Sequence, residues 1–239
     1  MDRIYGRKSV LETIESDQKI IKAYILKNKS VENKSNIIGK IVQKLRDKEI
    51  TIEFKDKNFF DSIDGNHQGV MVEVEDFSYK DLTSIKDCER IILLDEVEDP
   101  HNLGAIIRSA EAFGFGAVVI PERRSAKVNS TVYKTSVGAI NNIDIVMVKN
   151  LNRAIKELKK NNFWIYGLAG EAESSIGEID LTGKVGLVVG NEGKGLSRLV
   201  RENCDALIKI PMLGEVNSLN ASVASAIAIY EVTRQNGFN

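Results

Sequence analysis

A chain of 239 residues, 43% hydrophobic and 28% charged, has the composition of a globular protein and is long enough for one large domain or two unequal ones. Its formal net charge of −1 carries no global basic signature, so any nucleic-acid surface must be local. Two cysteines without CxxC spacing and two histidines suggest neither a disulfide framework nor a zinc site; no run nears the ~18 to 20 apolar residues of a membrane span.

The opening stretch MDRIYGRKSVLETIES has acids and no apolar leader core, so no secretory signal is read and cytoplasmic residence is the default expectation. Ile20 to Leu26, Ile50 to Phe54 and Gly69 to Val74 read as strands. Between the first two, Ile37, Ile38, Ile41, Val42 and Leu45 recur at helical spacing and leave a lysine-rich opposite face. From Lys19 to Lys48 there are nine Lys/Arg against two acids. That excess is either a solvated helix face or a phosphate-binding surface on a small domain.

From Glu75 to Arg90 the pattern becomes polar and irregular, which places a domain boundary there. The expected division is a first domain at 1–76, a linker at 77–89 and a second domain at 90–239. In the second domain, apolar runs at 91–97, 117–120, 143–148, 163–169, 185–190 and 206–210 alternate with helical segments. Unbroken Val/Ile/Leu strands separated by helices predict an α/β fold with a parallel sheet covered on both faces. The single Trp164 reads as core.

Three polar or glycine-rich clusters each follow an apolar strand: DPHNLGAIIRSAEAFG (99–114), GNEGKGLSRLVRENCD (190–205) and NSLN (217–220). Ligands in open α/β sheets sit at the carboxyl ends of strands, so the three could converge on one pocket. The second cluster fails as a phosphate loop, since Leu196 and Ser197 stand where GxxxxGK[ST] needs Lys and Ser/Thr after Gly195. It fails GxGxxG as well, and Gly114-Phe115-Gly116 precedes a strand, the wrong side for a dinucleotide fingerprint.

Each polar residue has a structural alternative. Asn217, Ser218 and Asn220 suit a helix N-cap. Glu192 could be a turn acid that favours the next helix dipole. Asn102 is expected to begin a helix, and Arg108, among Ala, Ile and Ser, either pairs with an anion or snorkels. His101 reads as part of a loop, with no metal-ligand spacing around it. Cys204 reads as an inert thiol in a helical stretch.

Taken in order, LDEVEDPHNLGAIIRSAEAFGFGAVVI, LVVGNEGKGLSRLVRENCD and IKIPMLGEVNSLNASVASAIAIYE resemble the three motifs of the SpoU (TrmH-like) RNA 2′-O-ribose methyltransferases, covering most of 91–235. IYGRKSVLETI and HQGVMVEVE resemble that family's small L30-like RNA-binding domain, and the whole-chain pattern is most similar to the bacterial 23S rRNA guanosine 2′-O-methyltransferases. The resemblance implies a deep trefoil knot of the SPOUT class, an exception to the rule against threaded chains. It also implies S-adenosylmethionine as cofactor, 23S ribosomal RNA rather than DNA or membrane as partner, and a homodimer with the active site at its interface. On this likeness Gly190, Ile210, Met212 and Leu219 would hold the cofactor, and Asn102, Arg108, Glu192, Ser218 and Asn220 fall on catalytic positions; none departs from the family pattern. A tRNA methyltransferase of the same family and a non-catalytic RNA-binding or ribosome-assembly protein are the alternatives.

The chemistry sharpens one assignment. Transfer of a methyl group to a ribose hydroxyl needs an acceptor for the hydroxyl proton. The family proposal gives that role to the first-motif arginine, here Arg108, although a guanidinium has no acceptor lone pair until it loses a proton. The alternative keeps Arg108 charged, clamping a phosphate and stabilising the developing alkoxide, with Glu192 fixing Arg108 or Asn102.

Overall fold

The computed structural model describes residues 2–27, 36–63, 66–215 and 218–238. They form two compact units, Met1–Ser78 with Val128–Lys134, and Tyr79–Lys127 with Thr135–Asn239.

The first unit contains β1 (Asp2–Tyr5), α1 (Arg7–Glu15), β2 (Ile20–Leu26), α2 (Ile37–Asp47), β3 (Ile52–Lys55), α3 (Lys57–Asp61) and β4 (Val70–Val74). Its sheet runs β1-β4-β2-β3, with β4 antiparallel to β1 and β2 and β3 parallel to β2. Val10 and Ile14 of α1 and Ile38, Ile41, Val42 and Leu45 of α2 pack on Ala23, Ile25, Val70 and Val72, burying one sheet face. The Asn36 side chain caps α2 by accepting the Gly39 N–H at 2.8 Å. Ile37, expected on the apolar face, is 38% exposed, because the buried arc is 38, 41, 42 and 45. On the polar face, Lys44 pairs with Glu15 at 3.1 Å and Lys48 donates to the Ile14 carbonyl, so two of the lysines tie α2 to α1. Lys29, Glu32 and Lys34, which contribute to the local lysine excess, lie outside the described residues.

The second unit contains β5 (Arg90–Leu94), α4 (Pro100–Ala112) and β6 (Ala117–Pro121); after α5 (Ser130–Ser136) come β7 (Asp144–Val148), α6 (Leu151–Lys160), β8 (Trp164–Leu168), β9 (Ser174–Ser175), β10 (Val185–Val189), α7 (Arg198–Asn203), β11 (Ala206–Lys209) and α8 (Ala221–Asn236). The seven strands are ordered β7-β6-β5-β10-β8-β11-β9 and every pairing is parallel. Leu151, Ile155 and Leu158 of α6, with Val200 of α7, cover one face through Leu93, Val119, Val146 and Val188. On the other face α4 packs against α8, and α8 against β10. Burial on both faces explains why the strands carry uninterrupted Val, Ile and Leu.

The order reverses at β5, which has β6 on one side and β10 on the other. Connections therefore leave in opposite directions at the carboxyl ends of β5 and β10, opening the crevice where ligands of such sheets lodge.

Two expectations are corrected. Trp164 is 59% exposed, not core, because it opens β8 at the rim of the sheet while its neighbours Phe163 and Ile165 point inward. His101 lies exposed in the first turn of α4 rather than in a loop. Among the described residues no helix is long and apolar enough to cross a membrane, and no group of His, Cys, Asp and Glu could hold a metal ion.

Candidate active site

Three chain segments meet at the carboxyl ends of β5 and β10. After β5, Asp99 caps α4 by accepting the His101 N–H at 2.9 Å, and Pro100 takes the first helical position, where its missing N–H costs nothing. Asn102 thus sits in the first turn, two residues inside the helix it was expected to begin, and is 7% exposed.

After β10 the chain makes a tight turn closed by the Asn191 and Gly195 backbones, N–H to O at 3.1 and 2.8 Å. The Asn191 side chain knits the turn together. Its oxygen accepts the Gly193 and Lys194 N–H groups at 2.9 and 3.2 Å, and its nitrogen donates to the Glu96 carbonyl at 3.0 Å. Asp95, 6% exposed, accepts the Ser197 N–H at 2.7 Å and so fastens the end of this segment to β5. Glu192 stands at the tip.

The third segment ends at Asn220, the N-cap of α8, whose oxygen accepts the Ser222 and Val223 N–H groups at 2.9 and 3.4 Å and the Ser222 hydroxyl at 2.6 Å. With the oxygen committed to the helix, the amide nitrogen points to the other two segments, donating to Glu192 Oε1 at 2.7 Å and to Asn102 Oδ1 at 3.1 Å. Asn102 Nδ2 donates to the same Glu192 oxygen. Capping and site-building are thus done by opposite ends of one side chain.

Beside this triangle lies a cavity of about 150 Å3 that opens to solvent. Gly190, Glu192, Ile210, Met212, Ser218 and Leu219 line it together with Leu168 to Gly170, Val189, Ala221 and Ala224. A second recess, lined by Glu98, Asp99, Asn102, Asn191, Glu192 and Ala221, shares three of its walls. Asn217 lies outside the described residues.

Arg108 stands apart. Six helical positions from Asn102 correspond to about 120° around the axis and about 9 Å along it, and Asn102 is buried where Arg108 is exposed. Among the described residues the Arg108 guanidinium makes no hydrogen bond or ion pair, and Glu192 engages Asn102 instead. Cys204 has the inert character expected, its thiol pushed up to about 12 by burial, although it is the C-cap of α7 and not within the helix. Asp95 and Asn191 were not singled out from sequence; an Asx residue following each strand end was the available signal.

Gly190 is fixed by close approach. A Cβ there would lie 2.3 Å from the Gly195 carbonyl carbon and 2.5 Å from the Leu196 nitrogen, both backbone atoms that cannot swing aside. Gly190→Ala is therefore expected to lower stability by about 1–3 kcal/mol through overpacking. It should also weaken ligand binding in the cavity more than 10-fold, read by thermal unfolding and by calorimetric titration with S-adenosylmethionine.

The SpoU rRNA Methylase family matches residues 89–230, and the family described as RNA 2′-O ribose methyltransferase substrate binding matches residues 3–80. The 23S rRNA (guanosine-2′-O-)-methyltransferase RlmB of Xanthomonas campestris is 42% identical over 97% of this chain and 96% of its own. A putative TrmH family tRNA/rRNA methyltransferase of Bacillus subtilis, YacO, is 39% identical over 98% of this chain and 96% of its own. The SpoU methyltransferase AviRb from Streptomyces viridochromogenes, solved with AdoMet, has a similar fold at a TM-score of 0.65 and 22% identity, covering 98% of this chain and 89% of that one. With both parts of the chain matched in order and full-length relatives near 40% identity, the protein belongs to the SpoU rRNA methylase family.

Proposed function

We propose that this chain methylates a ribose 2′-hydroxyl of 23S ribosomal RNA, at a guanosine, with S-adenosylmethionine as methyl donor. The observation that carries the reading is the hydrogen-bonded set Asn102, Glu192 and Asn220 at the edge of a mostly apolar cavity in a chain of this family. Residues 1–76 are read as the substrate-RNA domain and 90–239 as the catalytic domain.

The cavity suits the cofactor. Gly190 lets backbone approach closely, Leu219, Ile210 and Met212 offer apolar walls for an adenine ring, and the strand-end backbone offers hydrogen-bonding edges. When bound there, S-adenosylmethionine supplies the electrophilic methyl group. The chain's own work is to orient and to manage a proton. Glu192 holds two amide groups in fixed attitude, so that Asn102, with one N–H still open, meets the ribose without reorganising while Asn220 locks the set. Ser218 is exposed at the cavity wall, which supports a role as donor to the ribose or its phosphate. Arg108 stabilises the developing alkoxide or the adjacent phosphate while remaining charged.

On this reading Arg108 does so from another copy of the chain, which its place on α4, turned away from Asn102, supports. A homodimer is further supported by an exposed apolar stripe on α8, Val223, Ile227 and Tyr230, at i, i+4 and i+7 on the helix that packs beside α4. The trefoil knot is inferred from family membership, as is a cytoplasmic workplace from a ribosomal substrate.

The deciding experiment maps ribose methylation on ribosomal RNA from cells with and without the gene and measures labelling of 23S rRNA and tRNA by radioactive S-adenosylmethionine. A mark lost from 23S rRNA and restored in vitro is the expected outcome. Unchanged 23S rRNA with no labelling would sink the proposal, and labelling of tRNA alone would replace the substrate.

A further inference from the structure

The first unit has a sheet face that α1 and α2 leave uncovered. Ala23 and Ile25 of β2 point into the helix-covered core, so Lys22 and Tyr24 point the other way. On that side Tyr24 stacks with Phe59 of α3, centroids 5.3 Å apart and planes at 27°, and the chain of rings continues through Phe60 to His67 at 5.4 and 5.0 Å. Phe60 is fully buried and anchors the series, while Tyr24, Phe59 and His67 remain half-exposed. Packing alone would explain Phe60; it leaves the partly open rings unexplained.

One lysine lies over those rings and two more stand beside it along the chain. Lys55 Nζ lies 5.4 Å from the Phe59 centroid and 5.9 Å from that of Tyr24. Lys27 is brought to the same strand end by its N–H bond to the Lys55 carbonyl at 2.8 Å, and Lys57 opens α3 two residues after Lys55. Of the nearby acids, Asp56 is occupied in capping α3 through the Phe59 N–H at 3.0 Å, Glu53 bridges Lys22 and Lys55 at 2.8 Å each, and Glu73 accepts the Tyr24 hydroxyl at 3.1 Å while pairing with Arg3 at 3.0 Å. Lys27 and Lys57 are exposed and make no ion pair among the described residues.

Flat aromatic faces rimmed by lysines match one ligand chemistry well, an unpaired nucleotide, whose base stacks while its phosphate pairs with the cations. A duplex hides its base faces and offers only phosphates. We propose that Tyr24 and Phe59, with Lys27, Lys55 and Lys57, form the surface on which the first unit holds a single-stranded stretch of RNA. The proposal rests on the reading of the chain as an RNA-modifying enzyme and names the contact that reading leaves open.

The test uses the full chain, a labelled single-stranded oligoribonucleotide of about 12 nucleotides and a duplex of the same sequence. Phe59→Leu keeps apolar bulk and removes the ring; it should weaken single-strand binding about 5- to 100-fold and leave duplex binding unchanged. Lys27→Gln with Lys57→Gln, both on exposed side chains, should reduce the slope of log affinity against log salt by about 1.4 for the single strand. Both variants should keep the parent melting temperature and affinity for S-adenosylmethionine. If either variant loses the fold, the other decides. Parent-like affinity and salt slope in the folded variants, with 23S rRNA still methylated by the parent, would overturn the surface and leave the reaction standing. Weakened single-strand binding in the variants, with a parent that methylates nothing, would reject the reaction and keep the surface.

Discussion

Glu192→Ala is expected to lower the rate of ribose methylation by about 10²- to 10³-fold while changing affinity for S-adenosylmethionine by less than about threefold. The reason is geometric. One carboxylate oxygen receives the amide nitrogens of both Asn102 and Asn220, which come from elements 118 residues apart in sequence. Removing it frees two side chains to choose new rotamers, and a site loosened by a fraction of an ångström loses the advantage of pre-organisation. Glu192→Gln separates charge from geometry, because its carbonyl oxygen can still accept both donors. Recovery of most activity by Gln would make Glu192 a positioning residue. A loss as large as that of Ala would mean that its negative charge takes part, through the hydroxyl proton or through a cation beside it. Single-turnover rates and cofactor titrations on the same preparations read both quantities. An Ala variant with unchanged rate would remove Glu192 from the machinery.

The legibility of this molecule in its sequence divides along a physical line. Strands buried on both faces have to be apolar throughout, so runs such as VGLVV were readable, and all six read in the second unit appear as strands within two residues at most ends. Three polar clusters at strand ends were equally plain. That they meet depends on β10 lying beside β5 across nearly a hundred residues of intervening chain, and spacing does not encode strand order. Side-chain orientation at element ends was also hidden. Trp164 was assigned to the core because it is large and apolar, yet a residue that opens a strand at the rim can face solvent whatever its hydrophobicity. Asn102 and Arg108 were both open as the residue that Glu192 fixes. Helical periodicity sets them on different faces, and only the resolved contact of Asn102 with Glu192 exposes the separation. Asp95 was overlooked because an acid ending an apolar strand looks like a strand terminus; its fastening of Ser197 requires the third dimension.

Arg108→Ala should abolish methyl transfer about as completely as Glu192→Ala, although the two side chains do not meet within one chain. This pairing offers a stringent test of a composite site. If Arg108 acts on the Asn102–Glu192–Asn220 set of a second copy, each site of a symmetric dimer takes Arg108 from one chain and Glu192 from the other. A mixed dimer of Arg108→Ala and Glu192→Ala chains then contains one site with both residues altered and one with neither. Random mixing makes about half of the dimers mixed, so the mixture should recover about a quarter of the parent activity, whereas each variant alone stays inactive. Subunits exchanged before assay, with mixed dimers isolated through two different affinity tags, would turn that estimate into a direct measurement of about half the parent rate per dimer. No recovery in verified mixed dimers would mean that Arg108 serves the site of its own chain, which would require α4 to rotate or unwind by a turn to bring the guanidinium round. Arg108→Lys in the same assay distinguishes the roles left open for the cation. A fixed charge that steadies phosphate or alkoxide should survive in part with an unchanged pH profile, and a role as base should shift that profile toward the lower pKa of an amine.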